Sequence, residues 1–137
     1  MCPTTSPSEP APISDLHWAI LAEDGAHIGF IALHQIRWPA RCALGGLLIG
    51  DKEAWGRGYA TDAVLTRARF AFEQLGLHRI EGHTINPAMR RVYEKCGYRP
   101  ESVARKKVWR DGRWYDAHLF ALLDEDYFAA NSGPRDA

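Results

Sequence analysis

The chain has 137 residues, of which 46% are hydrophobic and 25% charged, the size and balance of one globular domain with its own core. Lys plus Arg and Asp plus Glu number 17 each, a formal net charge of zero, which argues against broad electrostatic capture of nucleic acid or of an anionic membrane. Cys2, Cys42 and Cys96 are odd in number and widely spaced. Neither a disulfide framework nor a zinc site is indicated, and a reducing cytoplasm fits.

The N-terminal stretch MCPTTSPSEPAP has no basic region followed by an apolar run, so it does not read as a signal peptide. No apolar stretch approaches the ~20 residues that span a bilayer. Residues 1–14, rich in Pro, Ser and Thr, and residues 129–137, ending NSGPRDA, are expected to be disordered tails around a single domain at 15–128.

Residues 17–36 read as two strands around Asp24-Gly25, a strong hairpin signal. A third apolar run, ALGGLLIG at 43–50, ends in the Gly-rich turn Trp55-Gly56-Arg57-Gly58. The apolar positions Ala60, Ala63, Val64, Ala68, Ala71, Phe72 and Leu75 keep a helical period, and Gly76 is a natural helix stop. Residues 77–85 read as a strand. Asn86-Pro87 opens a second helix, with Asn as N-cap and Pro at the first helical position, and that helix ends at Gly97. VARKKVWR and RWYDAHLFALL form a last hairpin around Asp111-Gly112. The order β-β-β-α-β-α-β-β predicts an α/β arrangement of α+β type with a mixed, mostly antiparallel sheet.

The Gly-rich turn is the most informative segment. It stands between a strand and a helix, where the first backbone N–H groups of the helix have no partner and carry partial positive charge. Glycines without Cβ let such a backbone approach a diphosphate closely. Gly56, Arg57, Gly58, Tyr59, Ala60 and Thr61 are therefore candidates to present amides to a pyrophosphate, although the same turn also serves plain chain reversal. The basic run Arg105, Lys106, Lys107 and Arg110 reads either as a solvated strand face or as a rim attracting cofactor phosphates. No G-x-x-x-x-G-K-[ST] is present, which excludes a P-loop, and the third glycine of a dinucleotide fold is missing.

From these residues the chain resembles the GNAT superfamily of acetyl-CoA-dependent N-acetyltransferases. IGDKEAWGRGYATDA is similar to the acetyl-CoA loop [RQ]-x-x-G-x-[GA] of that family, with Trp55, Gly58 and Ala60 at its marked positions. Trp in the first place is similar to the branch of ribosomal-protein N-terminal acetyltransferases. The likeness continues through FEQLGLHRIEGHTINPAMRRVYEKCGYRPE and into KVWRDGRWYDAHLFALLDEDY, covering about 17–127.

The resemblance implies a GNAT acyl-CoA acyltransferase fold in which the strand carrying Leu48 and Ile49 splays from the strand that follows the first helix. The backbone of Leu48 and Ile49 is then expected to pair with the pantetheine arm of acetyl-CoA, the cosubstrate, with no metal. Tyr93, in the family's Y-E-K-x-G-[FY] motif, is the expected catalytic residue, donating to the thiolate. A phenol protonated at neutral pH suits that role; a packed Tyr with a bonded hydroxyl is the plainer reading. Asn86 is expected to contact the cofactor arm and is equally a good N-cap.

The family's strand glutamate has no counterpart, since Ala43-Leu44-Gly45-Gly46 carries no carboxylate. Glu81 and His83 share a strand face and are candidates for the general base, with Asp116 and His118 as weaker acceptor-site candidates. The resemblance also implies a strand and two helices ahead of the first hairpin, which this chain lacks, so an N-terminally shortened fold is expected. A small deletion is indicated between Glu81 and Asn86. The expected activity is acetyl transfer to a primary amine, on a protein N-terminus or a small amine. The alternative is a catalytically impaired CoA-binding or dimerising module. A homodimer is a candidate assembly; nucleic-acid and membrane partners are not expected.

Overall fold

The computed structural model describes residues 12–131; the expected tail segments 1–11 and 132–137 lie outside the described residues. The first hairpin pairs β1 (Leu16–Leu21) with β2 (His27–Arg37). Its turn is closed by the Asp24 carboxylate, which accepts from the Ala26 N–H at 2.9 Å, and by Gly25 at φ +88°. Strand β3 (Cys42–Ile49) leads to a short 3-10 turn at Lys52–Ala54 and then to α1 (Tyr59–Arg69), which continues as π-type turns over Phe70–Gln74. The widening is marked by the Leu75 N–H donating to the Phe70 carbonyl. Next come β4 (Arg79–Thr84), α2 (Pro87–Lys95), β5 (Arg99–Arg110), β6 (Arg113–Leu123) and α3 (Asp124–Ala130).

The six strands form one sheet in the order β1-β2-β3-β4-β6-β5. Only β3 and β4, joined by the α1 crossover, run parallel; the other pairs are antiparallel. Helix α1 buries Val64, Ala68 and the following Ala71 and Phe72, which join Leu33, Leu77 and Ile80 in one core. Tyr93 of α2 and the C-cap Cys96 add to the same cluster. Alternation along β2 sends Leu33 to the helices and His34 to the opposite face. On that face Phe30 and its cross-strand partner Leu48 stay exposed.

The ends of the domain differ from the sequence expectation. Ala129 and Ala130, placed in the C-terminal tail, are helical in α3. That helix is anchored by Tyr127, whose ring packs on Phe72 at 5.2 Å, a partner remote in sequence. Ile13 and Ser14, placed in the N-terminal tail, are tied to the domain. The Ile13 carbonyl accepts from the Trp38 indole at 2.7 Å and the Ser14 carbonyl from the Ile36 N–H at 2.8 Å.

Candidate active site

The parallel pairing of β3 with β4 is brief. It covers Cys42–Arg79, Ala43–Ile80 and Leu44–Glu81 and then stops. Beyond that point β3 stays paired to β2 as far as Ile49, and β4 stays paired to β6 as far as Thr84. The two strands thus diverge while each keeps its outer neighbour, leaving a backbone edge from Gly45 onward without a β4 partner.

Two glycines flank this opening. A Cβ on Gly45 would lie 2.6 Å from the Arg67 guanidinium, and one on Gly82 would lie 2.5 Å from the Tyr93 hydroxyl. Each glycine admits a large polar group beneath the sheet where a side chain would collide. Arg67 is 2% exposed. It donates from Nη1 to the carbonyls of Ala32 and Gly46, both at 3.3 Å, and from Nη2 to the Tyr98 hydroxyl at 3.1 Å. No ion pair to a carboxylate is formed by Arg67 among the described residues.

On one side the opening runs into a cavity of about 660 Å³. Leu48, Ile49, Gly56, Gly58, Tyr59, Ala60, Thr61 and Asn86, all expected at a cofactor site, line it together. Arg57 is exposed and does not line it. Gly58 is the N-cap of α1 at φ +86° and offers no side-chain cap, so the first amides of that helix face the cavity without an intrahelical partner. Trp55 ties the loop down by donating its indole N–H to the Ile49 carbonyl at 2.8 Å. Arg91, Lys95 and Arg110 also line this cavity, and no carboxylate does among the described residues. Of the basic run on β5, only Arg110 reaches it.

A second cavity of about 560 Å³ lies on the other side, lined by Asp15, His34, Gln35, His83 and Tyr93 among others. Leu47, His83, Thr84 and Met89 line both cavities, so the two meet at the opening. Tyr93 borders this second cavity and not the first. Its ring is 2% exposed, packed against Tyr98 at 4.8 Å and stacked on Phe120 at 5.4 Å. Burial raises its pKa above the ordinary phenol value, with the Arg67 charge pulling the other way, so the hydroxyl keeps its proton at neutral pH.

The remaining candidates separate. Glu81 accepts from Arg79 Nε at 3.1 Å and Nη2 at 2.9 Å, in a network that includes Glu101, and lines neither cavity. His83 lines both. The Asp116 carboxylate accepts from the Lys106 N–H at 2.8 Å, closing the bulge of β5 between Ala104 and Val108. Asp116 and His118 line neither cavity. Asn86 caps α2, its side chain accepting from the Ala88 N–H at 2.9 Å.

Residues 7–99 match a family model described as the Acetyltransferase (GNAT) domain. The chain belongs to the GNAT acetyltransferase family. It is 39% identical over 118 residues to the probable N-acetyltransferase YjcK of Bacillus subtilis (strain 168), a match covering 82% of this chain and 64% of YjcK. YdaF of the same organism, named provisionally as a ribosomal N-acetyltransferase, is 32% identical over 109 residues, covering 78% of this chain and 59% of YdaF. Among solved structures, the fold is similar to a spermidine N-acetyltransferase of Vibrio cholerae in complex with CoA and spermine. That likeness has a TM-score of 0.78 and 25% identity, over 84% of this chain and 69% of the other. The chain spans less than two thirds of the length of the curated relatives YjcK and YdaF.

Within this GNAT domain the sequence reading missed Arg67, the Arg91–Lys95–Arg110 group and the His34–Asp15 pair. A signal for the first was present. Arg67 stands three residues after Val64 and four before Ala71, on the apolar stripe of α1. Arg91 and Lys95 share a face of α2 at i, i+4, whereas Arg110 and the His34–Asp15 pair are brought in by strand register and leave no local pattern.

Proposed function

We propose that this chain is an acetyl-CoA-dependent N-acetyltransferase that passes the acetyl group directly to a primary amine. The observation that carries the reading is the cavity at the start of α1, where unpaired helix amides, glycines and three cations meet with no acid among the described residues, beside a strand edge left open by the splay. Helix N-termini attract phosphate groups, and the open edge of β3 suits the addition of an extended amide-bearing arm. Tyr93, across the opening, is the proposed donor to the leaving sulfur. Holding amine and thioester in line supplies ~7–11 kcal/mol of barrier reduction.

The acceptor proposed is a protein N-terminus or a small amine; the Vibrio cholerae neighbour, a spermidine N-acetyltransferase, supports the small-amine class. The setting proposed is the cytoplasm, which suits the free, buried Cys42 and Cys96. Among the described residues no helix is long and apolar enough to cross a membrane, and no group of three or more His, Cys, Asp or Glu is placed to hold a metal ion.

One observation favours a second reading, a CoA-binding module that self-associates. Phe30 and Leu48 leave an apolar patch on the open sheet face. Calorimetry with acetyl-CoA, desulfo-CoA and ATP tests the cofactor site. Tight one-site binding of both CoA forms with weak ATP is expected, and a folded protein that binds neither CoA form refutes the site. Acetylation of spermidine or of a peptide with a free N-terminus then separates the enzyme from the module.

A further inference from the structure

We infer that His34 is the group that takes the proton from the acceptor amine in the second cavity, and that Asp15 is the positioning residue that aims it. The inference rests on the acetyltransferase reading and names the base of that same site.

Leu44, which stands where the family resemblance expects a carboxylate, is the direct cross-strand partner of His34. Residues opposite one another on antiparallel strands project from the same face. An imidazole one strand away therefore serves the face from which the carboxylate is missing. The ring is held on its Nδ1 side and left open at Nε2. Nδ1 lies 3.5 Å from the Asp15 carboxylate. Nε2 lies 2.7 Å from where a Cβ on Gly46 would stand, so glycine at that position makes room for it beside the splay. No hydrogen bond to His34 Nε2 is found among the described residues.

The backbone around the pair is shaped for it. β2 carries a bulge between His34 and Arg37, with Gln35 in the left-handed region at φ +50°. Bulges of this kind re-aim side chains beside active sites. Here the bulge turns the Gln35 N–H onto the Asp15 carboxylate at 3.1 Å, while the Ser14 hydroxyl donates to the other carboxylate oxygen at 3.2 Å. The Gln35 N–H is the main reason that the Asp15 carboxyl stays below its ordinary pKa. An ionised Asp15 favours the tautomer with its proton on Nδ1 and leaves the Nε2 lone pair open to the cavity.

The other groups facing His34 are few. His17 on β1 packs edge-on at 5.1 Å between ring centroids. His83 and Tyr93 line the same cavity, and Leu44 and Gly46 on β3 carry no charge. In the step assigned here, His34 Nε2 takes one proton from the acceptor ammonium. The freed nitrogen lone pair forms the C–N bond to the acetyl carbon as the C–S bond breaks. The sulfur leaves with the electron pair and takes the Tyr93 hydroxyl proton. A second nitrogen proton replaces the one that Tyr93 gave, and imidazolium releases its proton to solvent.

The test is the pH profile of kcat for acetyl transfer from acetyl-CoA to spermidine and to a peptide with a free N-terminus, with acetyl-CoA affinity measured in parallel. The wild-type kcat is expected to rise with pH through one inflection, set by the base, to a plateau. His34→Gln is expected to lose at least ~100-fold in kcat and the inflection, with acetyl-CoA affinity kept. Asp15→Asn, a change at an exposed position, is expected to shift the inflection to lower pH, and His17→Gln to leave it in place. His34→Gln with wild-type kcat and inflection, or Asp15→Asn with an unmoved inflection, overturns the inference and leaves the acetyltransferase reading standing. A wild-type protein that binds acetyl-CoA and acetylates neither probe overturns both.

Discussion

Gly82→Ala is the sharpest probe of how the splay is built. Its Cβ would stand 2.5 Å from the Tyr93 hydroxyl and Cζ. Ordinary van der Waals contact begins at 3.4 Å, so the ring must retreat by about 0.9 Å. Tyr98 and Phe120 already pack on it, and the ring is buried, so the retreat has to be shared with the core. Overpacking of this kind costs ~1–3 kcal/mol. With a urea slope of ~1–3 kcal/mol per molar for a small domain, the unfolding midpoint is expected to fall by about 1 M. A displacement near 1 Å at a reacting group also costs ~100-fold in rate, so acetyl transfer is expected to fall by that order with acetyl-CoA affinity nearly unchanged. Gly50→Ala, where a Cβ meets nothing within 4 Å, is the control. A Gly82→Ala protein with the wild-type midpoint refutes the packing argument. A lowered midpoint with an unchanged rate removes Tyr93 from the chemistry.

Tyr93→Phe deletes only the hydroxyl and is expected to lower turnover ~100-fold or more while calorimetry finds acetyl-CoA affinity kept; equal turnover excludes the donor role. Gly58→Val forces a β-branched residue into the left-handed region at a cost of ~1–2 kcal/mol and adds bulk at the lip of the cofactor cavity. Acetyl-CoA affinity is expected to fall at least tenfold, and an unchanged Kd in a folded variant removes the loop from phosphate binding. Burial raises the pKa of Tyr93, Tyr98 and Cys96 alike. A group with a raised folded-state pKa contributes stability that is full below its unfolded pKa and is lost as pH climbs toward the folded value. Stability is therefore expected to decline from about pH 9 upward, where Cys and then Tyr lose protons in the unfolded chain. A urea midpoint at pH 10.5 equal to that at pH 8 contradicts this.

The locally encoded parts of this protein were legible in the sequence. Asp24-Gly25 and Asp111-Gly112 marked the two hairpins because only certain residues tolerate their backbone angles. Asn86-Pro87 marked the start of α2 because a side chain must accept its first amides. The apolar spacing from Ala60 to Leu75 marked α1, and Gly58 marked its start. Each of these signals depends on neighbours a few positions apart, so composition and spacing suffice to read it.

The site's polar groups were decided elsewhere. Arg67 reaches the Gly46 carbonyl 21 positions away, and Asp15 meets the Gln35 amide across 20. Glu81, a reasonable base in sequence, is bound by Arg79 and Glu101, whereas His34 gains its place only because the β2–β3 register sets it opposite Leu44. Helix α3 runs two residues into the segment expected as a tail, and its Tyr127 packs on Phe72. A one-residue slip of β2 turns His34 to the other face of the sheet. Chain-local chemistry therefore determined the elements and the Gly-rich turn, and the register between distant strands determined which polar groups meet at the opening between β3 and β4.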